Sequence, residues 1–196
     1  MGFLQSIDFA IFHFTNTTLS NPIMDVVSPF VTDLNRTIGF RFILIPIIGL
    51  LMIWKWRWRG ACIFLGALTA VGLADFIGNI IKHLVERPRP FDSGIPDIQR
   101  SGAGGYSFPS NHASNMFAMA TYLSFFLRTR NWRFFLFGIA VLIAFTRVYN
   151  GVHFPGDVFA GGFLGALSGY SIATLVQALI KKLSYVKISA PGASRE

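Results

Sequence analysis

The sequence predicts an all-α fold: a polytopic membrane helical bundle of about six transmembrane helices, led by an N-terminal amphipathic helix and carrying a long loop on the periplasmic or extracellular side. Three observations predict it. Of 196 residues, 53% are hydrophobic and only 13% charged, and the mean hydropathy is +0.53, too apolar for a soluble domain of this size. Apolar stretches run over 38–54, 61–81, 113–127, 134–146 and 158–180, and with their flanks several reach the roughly 20 residues that a helix needs to cross the hydrocarbon core. The cations punctuate these stretches rather than forming a stripe, so the net charge of +8 does not point to nucleic acid.

The elements follow in chain order. Leu4, Ile7, Ile11 and Phe14 recur at helical spacing opposite Gln5, Asp8 and His13, which predicts an amphipathic helix lying on the surface. No positive region and small-residue cleavage site precede the first apolar segment, so no cleavable signal is expected. The first of the six spans falls before residue 35, where Asp25 and Asp33 bracket only a short apolar segment. The second and third follow at 38–54 and 61–81. Cys62, the single cysteine, sits in the third and excludes an intrachain disulfide. The fourth, fifth and sixth spans hold 113–127, 134–146 and 158–180, and the whole chain, 1–196, reads as one membrane-embedded domain.

The basic residues orient the bundle. Lys55, Arg57 and Arg59 follow one span, Arg128, Arg130 and Arg133 join two more, and Lys181, Lys182, Lys187 and Arg195 trail the last. The positive-inside rule makes these cytoplasmic, and Trp54, Trp56, Trp58 and Trp132 lie on the same side, as an interfacial belt would. Seven cations then face outward: Arg36, Arg41, Lys82, Arg87, Arg89, Arg100 and Arg147.

Two outward segments gather them. The stretch 83–108, rich in Gly, Pro, Ser and Asp, is a loop. Lys82 closes the preceding helix, and Pro88 and Pro90 hold Arg87 and Arg89 on extended backbone. Arg87 and Arg100 read as anchors to lipid headgroups. Past the loop, Pro109 can begin a helix, placing the amides of Ser110 and Asn111 where an anion is favoured, with His112 beside them. In the second segment Arg147 ends a helix, Asn150 and Gly151 turn, and Pro155 suits the first position of the next helix. His153 precedes that helix, and Asp157 falls in its first turn, within reach of the imidazole. Two helix starts thus converge where Lys82, Arg89 and Arg147 suit a phosphate's oxygens, and two histidines with different neighbours supply a nucleophile and a proton donor.

These residues carry a resemblance. Lys82 to Pro90 fits K-x6-R-P, "PSNH" at 109–112 resembles P-S-G-H, and Arg147 to Asp157 fits R-x5-H-x3-D. Together they resemble the three signatures of the type 2 phosphatidic acid phosphatase family, which includes membrane lipid phosphatases and soluble vanadium haloperoxidases. Their order and placement on spans three to six match the membrane branch. Two positions depart from the pattern. Asn111 stands where the family usually has glycine, tolerating left-handed backbone better than most residues, and Thr146 stands where serine commonly precedes the arginine.

The resemblance implies that His153 attacks phosphorus, that Asp157 orients its imidazole, and that His112 protonates the leaving oxygen and then helps activate water. Lys82, Arg89, Ser110, the Asn111 amide and Arg147 would bind phosphate oxygens. It implies no metal and no cofactor, and the residues agree, since Asp92 and Asp97 are scattered in the loop rather than clustered. The implied function is a lipid phosphatase of a bacterial plasma membrane, acting at the outer interface on a phospholipid or polyprenyl phosphate. Phosphatidylglycerol phosphate is the first choice and undecaprenyl diphosphate the second. An anion or phospholipid transporter is the competing class, disfavoured because the polar groups cluster at one end of the helices instead of the midplane. Asp75, Asn79 and Lys82 share one helix face, and Asp75 is read either as a pairing to a neighbouring helix or as support for Lys82.

Overall fold

The computed structural model describes residues 2–34, 37–94 and 98–189. The expectations for Arg36, Asp97 and Arg195, and for the side chains of Leu4 and Lys187, lie outside what it describes. Among the described residues the regular structure is helical: α1 Phe3–His13, α2 Pro22–Asp33, α3 Ile45–Val85, α4 Asn111–Ser124, α5 Arg130–Tyr149 and α6 Pro155–Ser189.

The predicted amphipathic helix is α1. Phe3, Ile7 and Ile11 are exposed along it, as is Phe14 just beyond. It does more than rest on a surface, because Phe12 is buried in a cluster with Val148 and Phe154, which pins α1 to the α5–α6 turn. Asn21 caps α2 by accepting the amide of Met24 at 2.9 Å, and Pro22 takes the first helical position, where its missing N–H costs nothing. At 12 residues, α2 is shorter than the roughly 20 that a span requires.

Helix α3 runs for 41 residues but folds back on itself. Arg57, with φ +56°, breaks it, and a Cβ on Gly60 would fall 2.0 Å from the Met52 carbonyl oxygen, a contact that only a reversal of the chain permits. Its two arms carry the apolar stretch 61–81 and, from Ile45 onward, the stretch 38–54. Among the described residues, three segments are long and apolar enough to cross a membrane, Phe40–Asp92, Arg130–Tyr149 and Pro155–Val186, the first of them doubled at Arg57. The expected count of six goes beyond what helix length alone supports, since α2 and the 14-residue α4 are both short.

Helix α4 sits inside the bundle. Gly161, Gly165 and Gly169 form a smooth stripe on α6 where a Cβ would meet the backbone oxygens of Ser110, Ser114 and Ala118 at 2.4, 2.0 and 2.4 Å. Their hydrogens let the two helices touch backbone to backbone, the close approach that small residues allow in membranes. Outward, Leu50, Leu65, Phe76, Phe134, Phe159, Phe163 and Leu175 are exposed, an apolar surface suited to lipid. The cationic end is assembled as expected: Lys55, Arg57, Arg59 and Arg128 line one hollow, and Arg59 donates to Ser184 near the end of α6 at 3.1 Å. The polar residues gather at the opposite end.

Candidate active site

Helix ends and two loops build this opposite end. At the close of α5, Asn150 and Gly151 make the predicted turn. Gly151 has φ +73°, and a Cβ there would lie 2.6 Å from the Ile98 carbonyl oxygen, so only glycine fits. Pro155 opens α6 as expected. Helix α4 starts at Asn111 with Ser110 as its cap, two residues later than the start expected at Pro109.

Lys82, Arg89, Asn111, His112, Arg147 and His153 line one cavity of about 350 Å³, together with Asn79, His83, Tyr106 and the backbone at 103–105. The other two expected site residues, Ser110 and Asp157, are fully buried behind its wall. Among the described residues that line it there is no carboxylate, so three cations face the space.

Backbone carbonyls hold Lys82 and Arg89 in place. Lys82 Nζ donates to the oxygens of Pro109 and Tyr106 at 2.5 and 3.0 Å. Arg89 donates to Gly105, Gly104 and Val152 at 2.9, 2.9 and 2.7 Å, and its Nη1 lies 3.2 Å from His153 Nε2. Arg147, 1% exposed, donates to Thr32 at 3.1 Å and pairs with Asp33 at 3.7 Å, which docks α2 against the site. For Lys82 and Arg89, carbonyl contacts orient the cation without neutralising it as a carboxylate would.

His153 Nδ1 lies 3.6 Å from Asp157 Oδ2 and 3.5 Å from Ser107 Oγ. Asp157 Oδ2 accepts from the Ser107 hydroxyl at 2.5 Å and the Phe154 amide at 2.9 Å, and Oδ1 accepts from Arg87 at 2.6 Å. Burial drives the His153 pKa down to about 4; Asp157 opposes the shift, while Arg89 and Arg147 add to it. The imidazole is therefore neutral at pH 7, with Nε2 on the cavity side. A neutral nitrogen beside three cations can attack an electrophilic phosphorus.

Several expectations change in detail. The Ser110 amide is not turned to the cavity, because it donates to the Asp157 carbonyl at 2.9 Å; its hydroxyl has no hydrogen-bond partner among the described residues. The start of α6 is also occupied, since the Gly156 amide donates to Asp8 at 2.6 Å. Only the start of α4 remains to meet an anion. Asn111 has ordinary helical backbone rather than a left-handed one, and its side-chain amide donates to Asn79 at 3.0 Å. Gly78 makes room for it, since a Cβ there would come within 3.1 Å of Asn111 Oδ1. Thr146 turns its hydroxyl back to the Ile143 carbonyl.

Arg87 and Arg100, read as headgroup anchors, are held inside the protein instead. Arg87 joins Asp8 and Asp157, and Arg100 joins Asp25, Ser20 and the Tyr149 carbonyl. Asp75 meets Asn115 and Asn111 of α4, which favours the reading of it as a pairing between helices. The sequence reading missed Ser107, His83 and Tyr106. Ser107, two residues ahead of Pro109, was open to notice, whereas the edge-on contact of His83 with Tyr106 depends on how the loop folds.

Comparison with known proteins places this geometry. The family model described as the PAP2 superfamily matches residues 63–181. The chain is 31% identical over 137 residues to a lipid A 4'-phosphatase of Bacteroides thetaiotaomicron, covering 66% of this chain and 61% of that protein. It is 34% identical over 146 residues to a putative undecaprenyl-diphosphatase of Escherichia coli, covering 71% and 72%. The crystal structure of a transmembrane PAP2-type phosphatidylglycerolphosphate phosphatase from Bacillus subtilis superposes with a TM-score of 0.74 at 28% identity, over 93% of this chain and 88% of that one.

Proposed function

The chain belongs to the PAP2 superfamily and is a membrane phosphatase of lipid phosphates, and on that premise we propose that it hydrolyses phosphatidylglycerol phosphate to phosphatidylglycerol through a phosphohistidine at His153. One observation carries this reading: Lys82, Arg89 and Arg147 line one cavity with the neutral imidazole, and no carboxylate is among its described lining residues. Such a space suits a phosphate dianion next to a nucleophile.

In the proposed reaction, Lys82, Arg89 and Arg147 hold the phosphoryl oxygens, with the Asn111 amide at the start of α4 beside them. His153 Nε2 forms a bond to phosphorus as the bond to the glycerol oxygen breaks. His112, entering as an imidazolium, passes its proton to that oxygen, so the lipid leaves as an alcohol. Asp157 steadies the positive charge that develops on the His153 ring. Neutral His112 then takes a proton from water, the water oxygen attacks phosphorus, and the P–N bond breaks. Inorganic phosphate departs and His153 is restored. The whole chain acts as one catalytic domain in a bacterial plasma membrane, and the site faces outward.

Undecaprenyl diphosphate is the second reading, supported by the 34% identity to the Escherichia coli protein. Purified protein in detergent is assayed against phosphatidylglycerol phosphate, undecaprenyl diphosphate and lipid A carrying a 4'-phosphate. The proposal expects the highest kcat/KM on the first. A higher value on either of the others reassigns the substrate.

A further inference from the structure

We infer that Asp8 of α1 and Arg87 of the loop are positioning residues for the reaction: Arg87 bridges the two carboxylates, and Asp8 thereby fixes the orientation of Asp157 toward His153. The inference rests on the reading of His153 and Asp157 given above. Asp8 lies outside all three signatures and outside the matched residues 63–181, and Arg87 occupies one of the six unspecified positions in K-x6-R-P.

The geometry is a closed chain of contacts. Arg87 Nη1 donates to Asp157 Oδ1 at 2.6 Å and Nη2 to Asp8 Oδ2 at 2.6 Å. Asp8 Oδ1 accepts the amide of Gly156 at 2.6 Å, one residue before Asp157. Asp8 therefore grips both the arginine and the turn of backbone that carries the carboxylate. The guanidinium also lies over the Phe154 ring, 4.2 Å from its centroid, which holds its plane.

The two oxygens of Asp157 have separate tasks. Oδ2 receives Ser107 and the Phe154 amide on the side that faces His153. Oδ1 receives Arg87. With a side chain wholly buried, a carboxylate that loses the Oδ1 partner has no water to replace it and turns toward whatever donor remains. A planar fork that engages two carboxylates at once is a task for arginine, which lysine's single point charge fills poorly. Asp8 is itself only 14% exposed in its side chain, so the pair escapes much of the screening that weakens surface ion pairs.

The test is a kinetic double-mutant cycle of Asp8→Asn and Asp157→Asn on an aryl phosphate, with Arg87→Lys as a second variant. Asp8→Asn is expected to lower kcat by about 10-fold, the scale of a slightly misplaced catalytic group, with KM unchanged. Arg87→Lys is expected to lower kcat further. If Asp8 acts through Asp157, its effect disappears in the Asp157→Asn background, whereas a general loss of packing would persist there. An equal Asp8→Asn loss in both backgrounds, a loss confined to KM, or no loss overturns the inference. Full activity in Asp157→Asn alone instead overturns the underlying reading of Asp157.

Discussion

The guanidinium of Arg89 lies with Nη1 3.2 Å from Nε2 of His153. Arginine can only donate, so Nε2 is the accepting, unprotonated nitrogen, and the ring proton sits on Nδ1 facing Ser107 and Asp157. The same guanidinium that would bind a phosphoryl oxygen thus keeps the nitrogen proposed to attack free of its proton.

A titration follows from this arrangement. The folded-state pKa of about 4 lies below the ordinary value of about 6.5, so the neutral ring persists as the pH falls between them. The unfolded chain takes up the proton first, so this group withdraws stability as the pH drops from about 6.5 toward 4, and supplies it fully above that window. In protein labelled with ¹⁵N-histidine, the resonance missing from His153→Asn is expected to stay neutral at pH 5.5. A midpoint near 6.5 for that resonance would contradict the geometry.

His112 is tested by the leaving group. A lipid monoester leaves as an alkoxide unless protonated, whereas a diphosphate leaves as a stable phosphate anion. His112→Ala is expected to cost roughly 10² to 10⁴ in kcat/KM on phosphatidylglycerol phosphate, and much less on undecaprenyl diphosphate or on an aryl phosphate. Lys82→Ala and Arg147→Ala, which would remove the proposed grips on the phosphoryl group itself, should hurt all three alike. Uniform losses for His112→Ala would make it a phosphate ligand.

Much of the site was legible in the sequence because its parts are local. Helical periodicity and two prolines set Lys82 and Arg89, and the spacing of Arg147, His153 and Asp157 follows from one turn and one helix start. What was hidden depends on chain far away. Nothing near Arg87 indicates that Asp8, 79 residues earlier, will meet it, nor that Asp25 will take Arg100. An isolated cation in a loop looks solvated until its acid is found. The span before residue 35 was harder to read for a related reason: hydropathy shows that the segment is partly apolar, but not that Asn21 and Pro22 restart the helix and leave α2 at 12 residues.

Topology is tested by labelling. With Cys62→Ser as the background, a cysteine at the exposed Asp92 position should react with an impermeant maleimide in intact cells, and one at the exposed Asn131 position should not. The reverse pattern would turn the site to the cytoplasm.

The most direct measurement of the central claim is to trap the phosphoryl group. His112→Ala, mixed with an aryl phosphate in the presence of chelator and quenched in alkali within one turnover, should carry phosphate on the peptide containing His153, because the first step proceeds without the acid while water attack is slowed. His153→Asn should carry none and release no phosphate. Turnover that continues in His153→Asn, or a label on any other residue, would contradict the phosphohistidine route.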